Sequence, residues 1–353
     1  MSKLRNGFVI CSINILLLFI IILILEVSFG SWTRENTLNP LDRLNIPRAY
    51  KKVQLIKTHY TIWDANYSRD EKGLRGNYGM LSNIGILAVG GSTTDQMLID
   101  DKETWTSILQ QNFKASGKNL SIANAGIDGH STLGHIFAFD SWLSRLHGLK
   151  PKWVIAYVGI NDLNGSKSLA RFLNPIDPQS PLEKIRKVIG ENSAILNLFQ
   201  VLDGIIDAEI RFANHRINYR RGQWTSHIFV KSQITQEEDK NIIEYKIRLK
   251  KLVNRIRRLG AEPVLVTQPL AEFRQEENFL KIRNNRSPKL YYKMFNLNKS
   301  LMAVCYQLSA ICIDLEKELE FSEDDFYDAF HNTPSGAKKI GDYLFRKLRH
   351  KLN

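Results

Sequence analysis

Cysteine is scarce in this sequence of 353 residues, which contains only three copies. Three cysteines are too few for a disulfide framework, and no CxxC pair occurs, so a structural zinc site has no support in the sequence. Cys11 lies within an apolar run. We interpret Cys305 and Cys312 as two buried thiols, because free cysteine is usually buried. Internal repeats and low-complexity tracts are also lacking.

Acidic residues are outnumbered, with 36 Asp and Glu against 49 Lys and Arg, a formal net charge of +13. This excess suggests an anionic neighbour, either anionic lipid at a membrane surface or an acidic polysaccharide. Nucleic acid is disfavoured because no zinc-finger, homeodomain-like or RNP pattern accompanies the charge. Basic clusters at residues 211–221 and 255–258 are interpreted as solvated faces, with anionic lipid or acidic glycan binding as the alternative.

One long apolar run lies near the N-terminus, at residues 8–29, and Glu26 is its one charged residue. As a helix the run would be roughly 33 Å long, enough to cross the hydrocarbon core of a bilayer. Lys3 and Arg5 precede it, so the positive-inside rule predicts a cytoplasmic N-terminus and a periplasmic or otherwise extracytoplasmic remainder. A cleaved signal peptide is the rival interpretation, although its apolar region is usually shorter and no A-x-A-like site follows.

The pattern along the chain predicts three regions. Residues 1–30 are expected to form the cytoplasmic N-terminus and the transmembrane anchor, and the polar residues 31–83 a stalk that leads to the main domain. Residues 84–353 are expected to form that domain. Within it, residues 164–235 fit no strand–helix unit and are predicted to be a mostly helical insertion.

Short apolar runs alternate with helical patterns after residue 84. The predicted strands cover residues 86–89, 120–125, 153–158, 264–267 and 311–315. The predicted helices cover residues 104–113, 133–146, 237–259, 289–308 and 336–348. Such alternation predicts an α/β fold with a parallel sheet covered on both faces. Functional residues are then expected at the carboxyl ends of the strands.

Ser92 follows the first of these strands, in the sequence Gly-Gly-Ser-Thr-Thr. Glycines allow a tight turn there, and a serine on such a turn is well placed to act as a nucleophile. It needs a neighbouring base, because a free hydroxyl attacks poorly at neutral pH. Taken alone, the motif also fits a flexible linker or a phosphate-binding turn.

Two further blocks follow the second and third strands and end in Gly129-His130-Ser131 and Asn161-Asp162. The backbone N–H of Gly129 and the side-chain amide of Asn161 are candidate donors for an oxyanion hole. Ordinary turn chemistry is the alternative for both blocks, and we expect Asp162 to brace its loop. His130 and His135 are candidates for lining a pocket, but packing or surface roles are favoured.

A fourth block, Asp328-Ala-Phe-His331, lies near the C-terminus. A carboxylate three residues before a histidine can reach its Nδ1–H within one turn, which fixes the tautomer and leaves Nε2 to accept a proton from serine. Pro334 predicts that a helix begins just after this block. An acidic surface turn with an incidental histidine is the alternative.

Taken together and in this order, the four blocks resemble those of the SGNH, or GDSL, hydrolase superfamily over about residues 84–349. The name-giving residues correspond to Ser92, Gly129, Asn161 and His331, with Asp328 as the partner aspartate. The resemblance implies a flavodoxin-like three-layer α/β/α sandwich with a five-stranded parallel sheet. The first block departs from the family pattern because Gly91 stands where GDSL has aspartate, a variant similar to many membrane-anchored bacterial members.

The resemblance implies ester hydrolysis without a metal or organic cofactor. Ser92 would attack the acyl carbonyl, and His331 would act first as base and then as acid. With the anchor and the charge, it predicts an esterase acting on an acylated small molecule, or on cell-envelope glycan or lipid such as an O-acetylated polysaccharide. Two alternatives stay open. One is an O-acyltransferase acting on a polysaccharide, and the other is a non-catalytic envelope-binding protein that retains a hydrolase fold.

Overall fold

A computed structural model describes residues 2–30, 32, 51–57, 62–163, 178, 180–199, 202, 223–229, 240–276, 278–283 and 286–352. The chain forms two units. One comprises Met1–Asn45 with Lys167–Glu209, and the other comprises Ile46–Ser166 with Ile210–Asn353. The basic cluster at residues 211–221 lies outside the described residues.

The described strands, in chain order, are β1 (Lys51–Lys57), β2 (Ile62–Ser68), β3 (Ile84–Gly90), β4 (Ser121–Asn124), β5 (Trp153–Tyr157), β6 (Trp224–Ile228), β7 (Glu262–Val266), β8 (Phe273–Glu276), β9 (Phe279–Arg283) and β10 (Ile311–Ile313). The described helices are α1 (Ser2–Phe29), α2 (Ser92–Asp95), α3 (Trp105–Ala115), α4 (Thr132–Ser141), α5 (Pro181–Asn192), α6 (Lys240–Arg258), α7 (Pro288–Gln307), α8 (Leu315–Glu318) and α9 (Pro334–Leu348).

A five-stranded parallel sheet forms the centre of the second unit, in the order β10-β7-β5-β3-β4. The sheet order reverses direction between β3 and β5, because β4 lies on one side of β3 while the later strands follow on the other. Loops that leave the carboxyl ends of strands at such a switch point open a crevice in which α/β proteins bind ligands. Ser92 follows β3 and Asn161 follows β5, so both candidate residues lie beside this crevice.

Helices cover both faces of the sheet, as the alternating pattern predicts. Ile86 and Ala88 of β3 belong to a fully buried cluster with Trp105 of α3 and Ile340 of α9. Leu87 is also fully buried and, by the alternation of strand side chains, faces the opposite side. That side is covered by α6, which packs against α4 and α7. The predicted α/β sandwich with five parallel strands is therefore confirmed.

Two smaller sheets were not predicted. Antiparallel strands β1 and β2 pair from Lys51↔Ser68 to Lys57↔Ile62, inside the range interpreted as a stalk. Strands β6, β9 and β8 form a three-stranded antiparallel sheet, in which β6 comes from the range interpreted as a helical insertion. The domain boundaries derived from the sequence stay predictions.

The first unit contains the apolar helix α1. Its segment Gly7–Phe29, with a mean hydropathy of 3.2, is the one helix among the described residues that is long and apolar enough to cross a membrane. Helix α5 belongs to the same unit and begins with a capping box, in which Ser180 and Glu183 each accept a hydrogen bond from the other's backbone N–H.

The interpretation of Cys305 and Cys312 as thiols is wrong, because the structure joins them in a disulfide across a Cα–Cα distance of 5.8 Å. Cys305 lies near the end of α7 and Cys312 in β10, so the turn between these elements brings the two side chains together. Cys11 is a free cysteine and is exposed.

Candidate active site

Ser92 begins the short helix α2, directly after Gly90, which ends β3, and Gly91, which caps the helix. A Cβ atom at Gly90 would lie 2.1 Å from Thr94 Oγ1 and 2.6 Å from the Tyr157 carbonyl oxygen. The turn therefore has no room for a side chain at this position. It leaves Ser92 partly exposed at the carboxyl end of a buried strand.

His331 lies between Ser92 and Asp328 and is within hydrogen-bond distance of both. Its Nε2 is 2.7 Å from Ser92 Oγ, and its Nδ1 is 2.6 Å from Asp328 Oδ2. Both distances are typical of hydrogen bonds, and the arrangement directs one ring nitrogen to the hydroxyl and the other to the carboxylate. The structure thus brings together three residues that the sequence separates by up to 239 positions.

The loop that carries His331 is held by its own backbone. Asp328 Oδ1 accepts hydrogen bonds from the N–H groups of Phe330, at 2.8 Å, and His331, at 2.7 Å. Tyr327 N–H donates to the His331 carbonyl, and Thr333 caps helix α9 through Gly336 N–H. The predicted helix start at Pro334 is confirmed.

The environment of Asp328 favours its ionised form. Burial raises the pKa of this carboxyl, but the neighbouring His331 and the backbone hydrogen bonds from Phe330 and His331 outweigh burial and lower the pKa below its usual value. Asp328 is therefore a carboxylate at neutral pH. In that state it can accept Nδ1–H of His331 and stabilise an imidazolium.

Asn161 lies in the loop after β5, next to the turn that carries Ser92. Its side-chain Nδ2 donates to the His130 carbonyl at 3.0 Å. A Cβ atom at Gly91 would lie 2.3 Å from the same Nδ2. Gly129 immediately precedes His130 and has a φ of 72°, which glycine adopts readily. The three glycine-containing blocks therefore converge beside Ser92.

Gln268 ties two of these loops together, and nothing in the sequence marked it. Its Oε1 accepts the Ile160 N–H at 2.7 Å, and its Nε2 donates to Thr93 Oγ1 at 2.8 Å. Gln268 is buried just beyond the carboxyl end of β7, and its amide links the segments that follow β3 and β5.

Asp162 braces the site, as the sequence predicts, through partners that were not foreseen. Its carboxylate accepts both the N–H and the hydroxyl of Thr132, at 3.0 and 2.7 Å. Arg248 of α6 forms a buried ion pair with it at 3.1 Å. Burial raises the pKa of Asp162, while Arg248 and Thr132 oppose that shift.

Two buried arginines from the predicted stalk hold the segment that follows Ser92. Arg69 forms an ion pair with Asp95 at 2.7 Å, and Tyr67 donates to the same carboxylate at 3.0 Å. Arg75 donates to the Asp95 and Gln96 carbonyl oxygens. No periodic pattern distinguished these arginines from exposed ones, so sequence reasoning missed them.

His130 and His135 pack against each other. His135 is buried in α4 and its ring centroid lies 5.8 Å from that of His130, which agrees with the favoured packing role. Burial lowers the pKa of His135 well below its usual value, with a smaller contribution from His130. Among the described residues, no three His, Cys, Asp or Glu side chains are arranged to hold a metal ion.

Comparisons with solved structures give several distant likenesses. The psychrotrophic esterase EstA from Pseudoalteromonas sp. aligns with 16% identity and a TM-score of 0.44, over 76% of this chain and 98% of that one. A catalytic mutant of Axe2, an acetylxylan esterase from Geobacillus stearothermophilus, aligns with 14% identity and a TM-score of 0.43, over 75% and 96%. TesA aligns with 15% identity and a TM-score of 0.43, over 76% and 99%. No curated protein matches this sequence.

The family comparison covers most of the chain. A model of the GDSL-like lipase/acylhydrolase family matches residues 88–339, a range that begins in β3 and ends in α9. The match includes every block to which the sequence points, from Ser92 to His331. The chain therefore belongs to the GDSL-like lipase/acylhydrolase family, whose members hydrolyse esters.

Proposed function

We propose that this chain is a serine esterase in which Ser92, His331 and Asp328 form the catalytic triad. The observation that carries the proposal is the pair of hydrogen-bond distances at His331, 2.7 Å to Ser92 Oγ and 2.6 Å to Asp328 Oδ2. A hydroxyl, an imidazole and a carboxylate in this order are what nucleophilic acyl transfer requires.

In the proposed reaction, Ser92 Oγ bonds to the acyl carbon while His331 Nε2 takes the hydroxyl proton. Asp328 stabilises the resulting imidazolium. The C–O bond to the alcohol then breaks, and His331 returns the proton to the departing oxygen. Water attacks the acyl-enzyme by the same route, and the acid leaves as Ser92 regains its proton.

The oxyanion of the tetrahedral intermediate is assigned to three donors, the N–H groups of Ser92 and Gly129 and the side-chain amide of Asn161. An asparagine amide carries two N–H donors. The His130 carbonyl occupies one of those of Asn161. The other remains for an oxyanion, and the bond to His130 orients it.

We assign the substrate to the cell envelope, as an acyl ester such as an O-acetyl ester of glycan or lipid. Support comes from the apolar segment Gly7–Phe29, which would anchor the chain in a membrane through residues 8–29. Lys3 and Arg5 favour a cytoplasmic N-terminus. The disulfide between Cys305 and Cys312 agrees with an oxidising, extracytoplasmic compartment. The net charge of +13 suits an anionic lipid or acidic polysaccharide nearby.

The chemistry is tested with the full-length chain in detergent. Hydrolysis of p-nitrophenyl acetate and labelling by a fluorophosphonate probe are compared for wild type, Ser92→Ala and Ser131→Ala. Ser131 is a matched control because it lies at the start of α4 and its hydroxyl makes no capping hydrogen bond. We expect Ser92→Ala to lose both activities and Ser131→Ala to keep them. Equal labelling of all three proteins would reject Ser92 as the nucleophile.

Hydrolysis is distinguished from transfer in the same preparation. An O-acetylated polysaccharide is supplied with an unacetylated acceptor, and both free acetate and acetylated acceptor are measured. Free acetate alone supports the esterase. Acetylated acceptor that depends on Ser92 would instead identify an O-acyltransferase.

A further inference from the structure

Helix α5 exposes an apolar face that no described residue covers. Leu182, Ile185, Val188 and Ile189 are between 39% and 63% exposed. Their spacing places them on one side of the helix, since residues three, four and seven positions apart share a face. The basic residues Lys184 and Lys187 project from the other side. Leu198 and Phe199, in the helical residues 194–199, are exposed as well.

The end of α5 is attached to the end of the apolar helix α1 through Glu26. The carboxylate of Glu26 accepts hydrogen bonds from Ser193 Oγ at 2.6 Å, Ala194 N–H at 3.0 Å and Ile195 N–H at 3.3 Å. These N–H groups begin a helical segment, where a negative charge is favourable. The one charged side chain of residues 8–29 thus holds the segment that follows α5.

A glycine allows the two segments to meet closely. A Cβ atom at Gly30 would lie 2.8 Å from the Asn192 carbonyl oxygen and 2.6 Å from the Trp32 ring. Gly30 is buried at this contact. A side chain there would have to displace the α1 backbone at the Glu26 carbonyl, the Trp32 ring or the Asn192 carbonyl.

The depth of this contact follows from the length of α1. Residues 7–29 span about 34 Å as a helix, slightly more than the roughly 30 Å of a bilayer core. Glu26 lies in the last turn of that segment, and its carboxylate also accepts Trp32 Nε1–H at 2.8 Å. Tryptophan is typical of the membrane–water interface. The contact with residues 193–195 would therefore lie at headgroup level.

We propose that α5 and residues 194–199 form an interfacial helix that lies on the bilayer surface at the carboxyl end of α1. Its apolar side chains enter the boundary between headgroups and acyl chains, and Lys184 and Lys187 lie on the aqueous side, where their charge attracts anionic lipid. An amphipathic helix with a basic polar face binds such surfaces in two ways. It buries its apolar side chains, and its basic side chains are attracted to anionic lipid. Because Glu26 joins this segment to the end of the membrane-spanning α1, we identify lipid as the partner that covers its apolar face. This inference rests on the proposed membrane anchor.

The test uses single fluorophores on the full-length chain reconstituted in vesicles that contain anionic lipid. In a Cys11→Ser background, which removes the free cysteine of the described residues, an environment-sensitive fluorophore is attached at Ile185→Cys, Lys187→Cys or Ile15→Cys. Quenching by a lipid spin-labelled near the headgroup is then measured for positions 185 and 187, and quenching by a lipid spin-labelled deep in its acyl chain is measured for position 15. We expect at least about threefold stronger quenching, and a blue-shifted emission, at position 185 than at position 187.

The probe at position 15 separates failure of the anchor from failure of the interfacial helix. If position 15 is unquenched, α1 is not in the bilayer and both proposals fall. If lipid quenches position 15 but leaves positions 185 and 187 equally solvent-like, only the interfacial helix is rejected. A blue-shifted but unquenched probe at position 185 would show that protein covers this face, which also rejects lipid as its occupant. Glu26→Gln is expected to lower the quenching at position 185 while leaving position 15 quenched.

Discussion

The ring of Tyr327 stacks on the imidazole of His331, with centroids 5.5 Å apart and planes inclined by only 10°. Tyr327 is buried, and its backbone N–H also donates to the His331 carbonyl at 3.0 Å. The imidazole is thus held by an aromatic face in addition to the Asp328 carboxylate at its edge. Tyr327 is a positioning residue for the proposed triad.

Tyr327→Ala should lower kcat by about tenfold with little change in KM, because a misaligned base slows proton transfer more than it weakens substrate binding. Tyr327→Phe retains the ring and should remain close to wild type. Steady-state kinetics with p-nitrophenyl acetate, on variants whose folding is verified by circular dichroism, measures the difference. Unchanged kcat in a folded Tyr327→Ala protein would argue against the positioning role.

Gly91→Ala should reduce activity through Asn161. The φ of Gly91 is −82°, which any residue adopts, so the substitution acts by contact and not by backbone strain. Its Cβ would lie 2.3 Å from Asn161 Nδ2, and the amide must move. We expect kcat to fall by about 100-fold, at the lower end of the effect of losing one oxyanion donor.

A double-mutant cycle tests whether Gly91→Ala lowers kcat by displacing the Asn161 amide. If Gly91→Ala acts by displacing the amide, it should cost little further activity in an Asn161→Ala background. Fully additive losses in kcat would show that Gly91 acts on another part of the site.

Arg69→Met should destabilise the protein by about 3 to 5 kcal/mol, because it leaves the buried Asp95 carboxylate without its ion-pair partner. Lys72 is the matched control, a partly exposed basic residue three positions away that pairs with the exposed Glu71. Lys72→Met should change stability by less than about 1 kcal/mol. Chemical denaturation of both variants tests the contrast, and equal effects would contradict the proposed contribution of Arg69.

Glu316 should make stability depend on pH near neutrality. Burial, with a smaller contribution from Asp314, raises the pKa of Glu316 from 4.5 to about 7. The folded chain therefore holds a proton that the unfolded chain releases between these values. Stability contributed by the protonated carboxyl is present below 4.5 and is lost as the pH rises through about 7.

Glu316→Gln cannot ionise and should escape this loss. Relative to wild type, we expect the variant to gain about 3 kcal/mol at about pH 8 and almost nothing at about pH 4. The exposed Glu320 provides a control substitution, Glu320→Gln, which should show no such difference. Denaturation curves at the two pH values make the comparison. If Glu316→Gln and wild type differ in free energy of unfolding by the same amount at both pH values, the raised pKa of Glu316 is refuted.

The central sheet was predictable because its strands are short, apolar and buried on both faces. The runs at residues 86–89 and 153–158 contain almost no polar side chain, and both became strands within two residues of the expected bounds. The small sheet of β6, β9 and β8 was not predictable. Residues 273–276 read Phe-Arg-Gln-Glu, and three of these four side chains are exposed, so neither periodicity nor burial marks a strand.

Local sequence also determined the geometry of the Asp328–His331 loop, because three residues are close enough for a carboxylate to reach the ring and backbone of the same turn. The apolar segment of α1 was equally evident, since its length and lack of charge are properties of consecutive residues. The state of Cys305 and Cys312 was not, because their pairing depends on how the chain turns between α7 and β10.

The sequence by itself determined the order of strands and helices, the apolar segment at the N-terminus, and the identity of the blocks that follow each strand. Only the tertiary structure decided which of their atoms meet. Ser92 and His331 come within 2.7 Å because parallel strands deliver their carboxyl ends to one edge of the sheet. Gly91 makes room for Asn161 for the same reason, whereas Arg69 reaches Asp95 from the end of β2, a strand of the separate antiparallel sheet. Each contact joins residues distant in the chain, and its existence depends on how the strands are arranged within the sheet and on close packing, which no local pattern encodes.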